Sequence, residues 1–280
     1  MKKYKSFVNS LVLVGAALLL VPFGYAGVPL NNLEGAGGVA FNPLAYPAGQ
    51  NKDSAATNDP LVDILSKPQF GVWYTYLPDV NVDWTAIGVA ETLFNRLEVS
   101  YGYELIAPDG KNIRKSNIGA KLLLIPENIG GQNYVPAVSL GSIWKYTTPV
   151  ATDIDGSAFD FYAVATKLIT QLPLPVLLSA GVLSTKERVT GVFGYDDDRD
   201  TTFFGNVDII PLSSVAVGLE YKQGARFTDF KNADYWDAHL AWFASKNLTL
   251  VGAYVNAGSE DSTSSVGLGN GLVLSAQYAF

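Results

Sequence analysis

A few residues in this chain are of types and spacings that could do chemistry. His239 is the only histidine, so any serine–histidine–asparagine hydrolase site would have to be built around it. Gly35-Ala36-Gly37-Gly38-Val39-Ala40 fits the spacing G-x-G-x-x-A of a dinucleotide-binding turn, a motif that works only between an incoming strand and an outgoing helix. Neither flank is visible, and the reading left for the glycines is a tight turn or a close pass to other backbone. Asp196-Asp197-Asp198-Arg199-Asp200 concentrates carboxylates that could hold calcium through oxygen, but the spacing matches no EF-hand loop, and a solvated acidic loop is the default. No cofactor is implied, and no metal or catalytic residue is assigned.

Composition removes further classes. There is no cysteine, which excludes disulfides and thiolate chemistry. The formal net charge is −7, opposite in sign to what phosphate binding needs, so nucleic acid is excluded as a partner. Lys2, Lys3 and Lys5, the apolar run Leu11 to Val21 and Gly24-Tyr25-Ala26 read as a secretory signal over residues 1–26. Its loss would lower the net charge by three. No later run reaches the roughly 20 apolar residues of a membrane-spanning helix.

The elements that must position any site are strands. In Arg96 to Ile106, Leu97, Val99, Tyr101, Tyr103 and Leu105 alternate with Arg96, Glu98, Ser100, Gly102 and Glu104. A period of two gives a strand with one apolar and one polar face. Leu272, Leu274, Ala276, Tyr278 and Phe280 repeat the pattern, as do Trp236, Ala238, Leu240 and Trp242 around Asp237 and His239. Each segment has about the ten residues of a tilted membrane strand.

Twelve spans emerge: 68–78, 82–90, 96–106, 115–125, 134–146, 159–169, 175–184, 200–209, 211–222, 235–245, 247–256 and 269–280. With both termini in the periplasm, the longer gaps fall on the external side, as in outer-membrane barrels. The expected fold is all-β, an antiparallel transmembrane barrel over residues 68–280. Residues 27–67 form a separate segment, periplasmic or lumenal, that could plug it. Trp73, Tyr76, Trp144, Tyr146, Trp236, Trp242 and Tyr278 are expected at the membrane interface. Phe280, in phase with β-alternating residues behind it, resembles the terminal signal read by barrel-insertion machinery.

Several blocks carry a further resemblance. Asn32-Leu33-Glu34-Gly35-Ala36-Gly37-Gly38, Phe94 to Tyr101, Tyr162 to Leu168, Trp236 to Tyr254 and Leu272 to Gln277 resemble an uncharacterised proteobacterial outer-membrane barrel family. That resemblance implies the barrel and no activity.

Function is then sought on the inward faces, where Arg96, Glu98, Glu104, Lys121, Lys145, Lys167, Glu220, Lys222, Asp237 and His239 are expected. Mixed charges can line a water-filled pore or pair and close it. The leading expectation is a passive channel for small hydrophilic solutes, set in lipid and lipopolysaccharide. The alternatives are a closed structural or surface-interaction barrel and a bilayer-facing hydrolase, the last disfavoured because His239 is expected to face the lumen.

Overall fold

The computed structural model describes residues 30–49, 64–108, 111–259 and 265–280. The proposed signal peptide and residues 27–29 and 50–63 of the N-terminal segment lie outside the described residues. The alternating segments form twelve strands: β1 (Gln69–Leu77), β2 (Val82–Leu93), β3 (Leu97–Pro108), β4 (Ile113–Ile125), β5 (Ala137–Thr148) and β6 (Ser157–Ile169). They continue as β7 (Val176–Glu187), β8 (Tyr195–Leu212), β9 (Val215–Lys222), β10 (Tyr235–Phe243), β11 (Leu248–Asn256) and β12 (Asn270–Ala279). Each pairs antiparallel with its neighbours, and β1 closes on β12 from Gln69↔Ala279 to Tyr76↔Leu272. Closure matters because hydrocarbon offers no partner for a free strand edge.

One row of each strand faces outward and is apolar. Val99, Tyr101, Leu105, Leu240, Leu272 and Leu274 are all exposed, and a belt of this kind on a closed barrel is the surface that lipid covers. Tyr76, Tyr146, Trp236 and Tyr278 belong to it. Trp73 does not. It lies on the inward row of β1, is 1% exposed and donates its indole N–H to the Asn31 carbonyl at 2.8 Å. Alternation places it inside, and the interface assignment is corrected accordingly.

The acidic run is also corrected. Asp196–Asp200 lies within β8, which starts at Tyr195, and spans a break in its register with β7 between Thr185↔Asp200 and Glu187↔Tyr195. Asp196 accepts from Arg188 Nε and Nη2 at 2.9 and 2.6 Å, and Asp200 accepts the Arg226 N–H at 2.7 Å. Asp196 and Asp200 are thus tied to partners at the start of β8, while Asp197 and Asp198 stay exposed. The rim holding Gln69 and Ala279 is here termed the lower rim. Its connection 126–136 is about as long as the upper connection 223–234, so loop length separates the rims less sharply than the sequence implies. Strands also run past their expected ends, as where β3 reaches Pro108 and β4 starts at Ile113, which shortens the upper gap to 109–112.

Residues 30–49 lie within the barrel, folded as two tight loops with bridges Asn31↔Gly37 and Gly38↔Pro43. Gly35 has φ +87°, and a Cβ there would stand 2.5 Å from the Tyr101 carbonyl oxygen of β3. The wall answers with its own glycines, since a Cβ on Gly88 would meet Gly35 Cα at 2.7 Å and one on Gly102 the Glu34 carbonyl at 2.3 Å. Small residues on both sides let backbone cross backbone.

Candidate functional site

Eight of the ten expected residues, Glu98, Glu104, Lys121, Lys145, Glu220, Lys222, Asp237 and His239, are buried inside the barrel. Arg96 and Lys167 are corrections. Arg96 precedes β3 in the turn, where strand alternation does not apply, and its exposed guanidinium donates to the Leu123 and Leu124 carbonyls at the lower rim, both at 3.2 Å. Lys167 lies on the outward row, because Asp160, Tyr162, Val164 and Thr166 take the inward one. Its ammonium turns to Glu127 and Asn128 at 3.1 and 2.6 Å.

The interior also holds Glu34, Lys115, Asn117, Asp160, Glu187 and Asp208, which the sequence reading did not single out. Lys115 and Asn117 share the alternating row of Lys121 and were accessible to the same argument. Glu187 falls beyond the expected end of its strand. Glu34 is on no strand, and no periodic signal marks it.

Three charge groups hold the segment. In the first, Lys145 Nζ contacts Glu34 at 2.5 Å, Asp160 at 2.7 Å and Glu187 at 2.7 Å. Lys115 Nζ contacts Glu34 at 3.0 Å, Glu104 at 3.2 Å and Glu187 at 3.5 Å, and Lys222 reaches Glu187 at 3.4 Å. Trp84 Nε1 and Asn117 Nδ2 donate to Glu104 at 3.0 and 2.6 Å. Burial alone would favour the neutral acid at Glu34, but Lys145 and Lys115 outweigh it and hold the carboxyl below its ordinary range.

In the second group, Glu98 takes Lys121 at 2.7 Å and the N–H groups of Gly37 and Ala48 at 2.9 and 2.7 Å, while Lys121 donates to the Gly37 carbonyl at 2.8 Å. In the third, Glu220 accepts from the N–H groups of Ala40, Phe41 and Asn42 at 3.1, 2.9 and 2.7 Å. Asp237 pairs across the ladder with Glu220, and His239 bridges Asp237 and Asp208, 2.7 Å from each. A carboxylate only accepts, so with both acids ionised both ring nitrogens must carry protons and the histidine is a cation. Neutral contacts complete the seating. Ser139 donates to the Ala45 carbonyl at 2.6 Å, Thr166 accepts the Ala45 N–H at 2.8 Å, and Gln277 accepts the Asn31 N–H at 3.1 Å.

The space left is small. A cavity of about 110 Å³ lies between the segment and β8–β11, lined chiefly by apolar side chains such as Leu44, Ile210, Ala241 and Val251. Another of about 40 Å³ adjoins Glu34, Lys115 and Tyr235. Neither is a passage for a hydrated solute. Among the described residues, no group of three or more histidine or carboxylate side chains could hold a metal ion.

Residues 27–277 match the model of the family described as "Protein of unknown function (DUF3034)". The chain belongs to this family. No curated protein matches the sequence. Among solved structures, the KdgM porin aligns with a TM-score of 0.54 at 11% identity, over 76% of this chain and 99% of that one. The same porin in complex with disordered oligogalacturonate gives 0.50 at 11% identity, over 76% and 99%. Omp33 of Acinetobacter baumannii gives 0.48 at 9%, over 78% and 100%. At such identities the likeness to the KdgM porin is one of fold, and it puts this DUF3034 chain in the architecture of outer-membrane barrels.

Proposed function

We propose that the protein is an outer-membrane channel for small hydrophilic solutes and that residues 30–49 are its plug. The observation that carries this reading is what the wall carboxylates bind. Glu98 and Glu220 together accept five backbone N–H groups from residues 37–48. Glu98 keeps one wall partner, Lys121 at 2.7 Å, but the amides that fill the rest of its acceptor capacity and that of Glu220 come from outside the wall. Both acids serve a separate segment, and its withdrawal would leave a passage lined by both signs of charge, suited to hydrated solutes. The apolar outer belt supports a seat in lipid. Contact with lipopolysaccharide and engagement of β12 by barrel-insertion machinery belong to the same proposal. A non-enzymatic role agrees with His239, whose nitrogens are both committed to carboxylates inside the barrel.

A second reading, a permanently closed barrel, is favoured by one observation, the small volume left unfilled. Planar-bilayer conductance of the intact protein beside a variant lacking residues 30–49 decides between them. Steady conductance that appears or grows on deletion supports a plugged channel. Silence in both, with the barrel folded, refutes it in favour of the closed barrel.

A further inference from the structure

Glu34 is the one charged residue in the stretch 30–49, and its carboxylate is placed against two lysines of the wall. An ammonium group has three N–H donors and no acceptor. The wall supplies Lys145 with two carboxylates, Asp160 and Glu187, and supplies Lys115 with two, Glu104 and Glu187. Each lysine therefore has at least one N–H beyond those that the wall carboxylates can take, and both ammonium groups lie against the same atom, Glu34 Oε1, at 2.5 and 3.0 Å. Both lysine side chains are only 1% exposed, so water outside the barrel is no ready substitute. The cavity of about 40 Å³ lined by Glu34, Lys115, Lys222 and Tyr235 lies directly against this point.

We infer that Lys115 and Lys145 form a carboxylate-binding site of the barrel wall, that Glu34 occupies it as a tethered stand-in, and that solutes bearing a carboxylate compete for it. The inference rests on the plug reading for its role in passage, because a free acid gains the site only as Glu34 leaves. It does not depend on that reading for the site itself, since the donors belong to the wall. Buried donors left without acceptors are costly, and this favours an acceptor oxygen in the site over an empty one. A hydroxyl can accept from the same N–H groups but forms a weaker hydrogen bond with an ammonium group than a carboxylate does.

The test is chemical rescue in the full chain. Glu34→Ala removes the stand-in and leaves room for a small acid. The variant should refold less completely and melt at a lower temperature than the parent, read from the heat-dependent shift in gel mobility. Sodium acetate or formate should recover at least half of that loss, while sodium chloride of equal concentration and glycerol should not. The parent protein and Glu34→Gln, whose side chain still fills the place, should not respond to acetate. If refolding of Glu34→Ala is poor, yield in acetate against chloride gives the same comparison. Equal recovery in chloride or glycerol, or none in acetate, overturns the site.

A second measurement separates site from channel. In the variant lacking residues 30–49, acetate should interrupt the current, and Lys145→Gln should weaken that block about tenfold. Rescue without any current would retain the site and refute the channel. Current that acetate does not interrupt would overturn the competition.

Discussion

Replacing Glu220 with alanine should release residues 30–49 while leaving the barrel intact. Its two oxygens hold three consecutive amides, Oε2 taking Ala40 and Phe41 and Oε1 taking Asn42. The side chain is 1% exposed, so the freed N–H groups would find little water. Each buried donor left unsatisfied costs about 1–3 kcal/mol. Three such losses at the low end make about 3 kcal/mol, or roughly a hundredfold in the docking equilibrium. Glu220→Gln retains one acceptor oxygen and should lose about tenfold, equivalent to one or two of those bonds. The assay is open probability in a planar bilayer, paired with protease sensitivity of residues 30–49 in refolded protein. Barrel integrity is followed separately by heat-dependent gel mobility. If folded Glu220→Ala is as silent and as protected as the parent, the wall carboxylate does not anchor the segment and the reasoning fails.

Further expectations follow from the same contacts. Gly102→Ala places a Cβ 2.3 Å from the Glu34 carbonyl, a backbone atom that cannot step aside, so the barrel should fold while proteolysis of residues 30–49 accelerates; unchanged protection would contradict the close crossing. Lys145→Gln leaves Asp160, Glu187 and Glu34 short of a cation, and urea unfolding in vesicles should show a loss of about 3–5 kcal/mol, as for a broken buried pair. Arg96→Ala at the exposed turn should stay within about 0.5 kcal/mol. Glu34 has its carboxyl held below the ordinary value of 4.5, so its contribution is complete at neutral pH and fades as acidity passes through that lowered range. Protease protection of residues 30–49 should fall on that acid limb, and Glu34→Gln should remove the part of the limb that is due to this group.

The barrel was legible because lipid and lumen impose opposite demands on adjacent residues. That demand writes a period of two into Leu97–Ile106, Trp236–Trp242 and Leu272–Phe280, and the strands lie where the alternation puts them. The same rule located Glu98, Glu104, Lys121, Lys145, Glu220, Lys222, Asp237 and His239 on the inward rows. It failed at Arg96, which sits in a turn, and at Lys167, where Lys, Leu and Ile at the lower end of β6 obscure which row is polar. It also misread the start of β8, since a carboxylate run resembles a loop until Arg188 and the Arg226 N–H are seen to pair with it. Residues 30–49 lie beyond the reach of periodicity. Their glycines announce close approach without naming a partner, and Glu34 gives no sign of lying between two lysines more than 80 residues away in sequence. Pairing of that kind is decided by closure of the sheet, which brings distant inward rows around one volume, and only the tertiary structure determines which charge meets which.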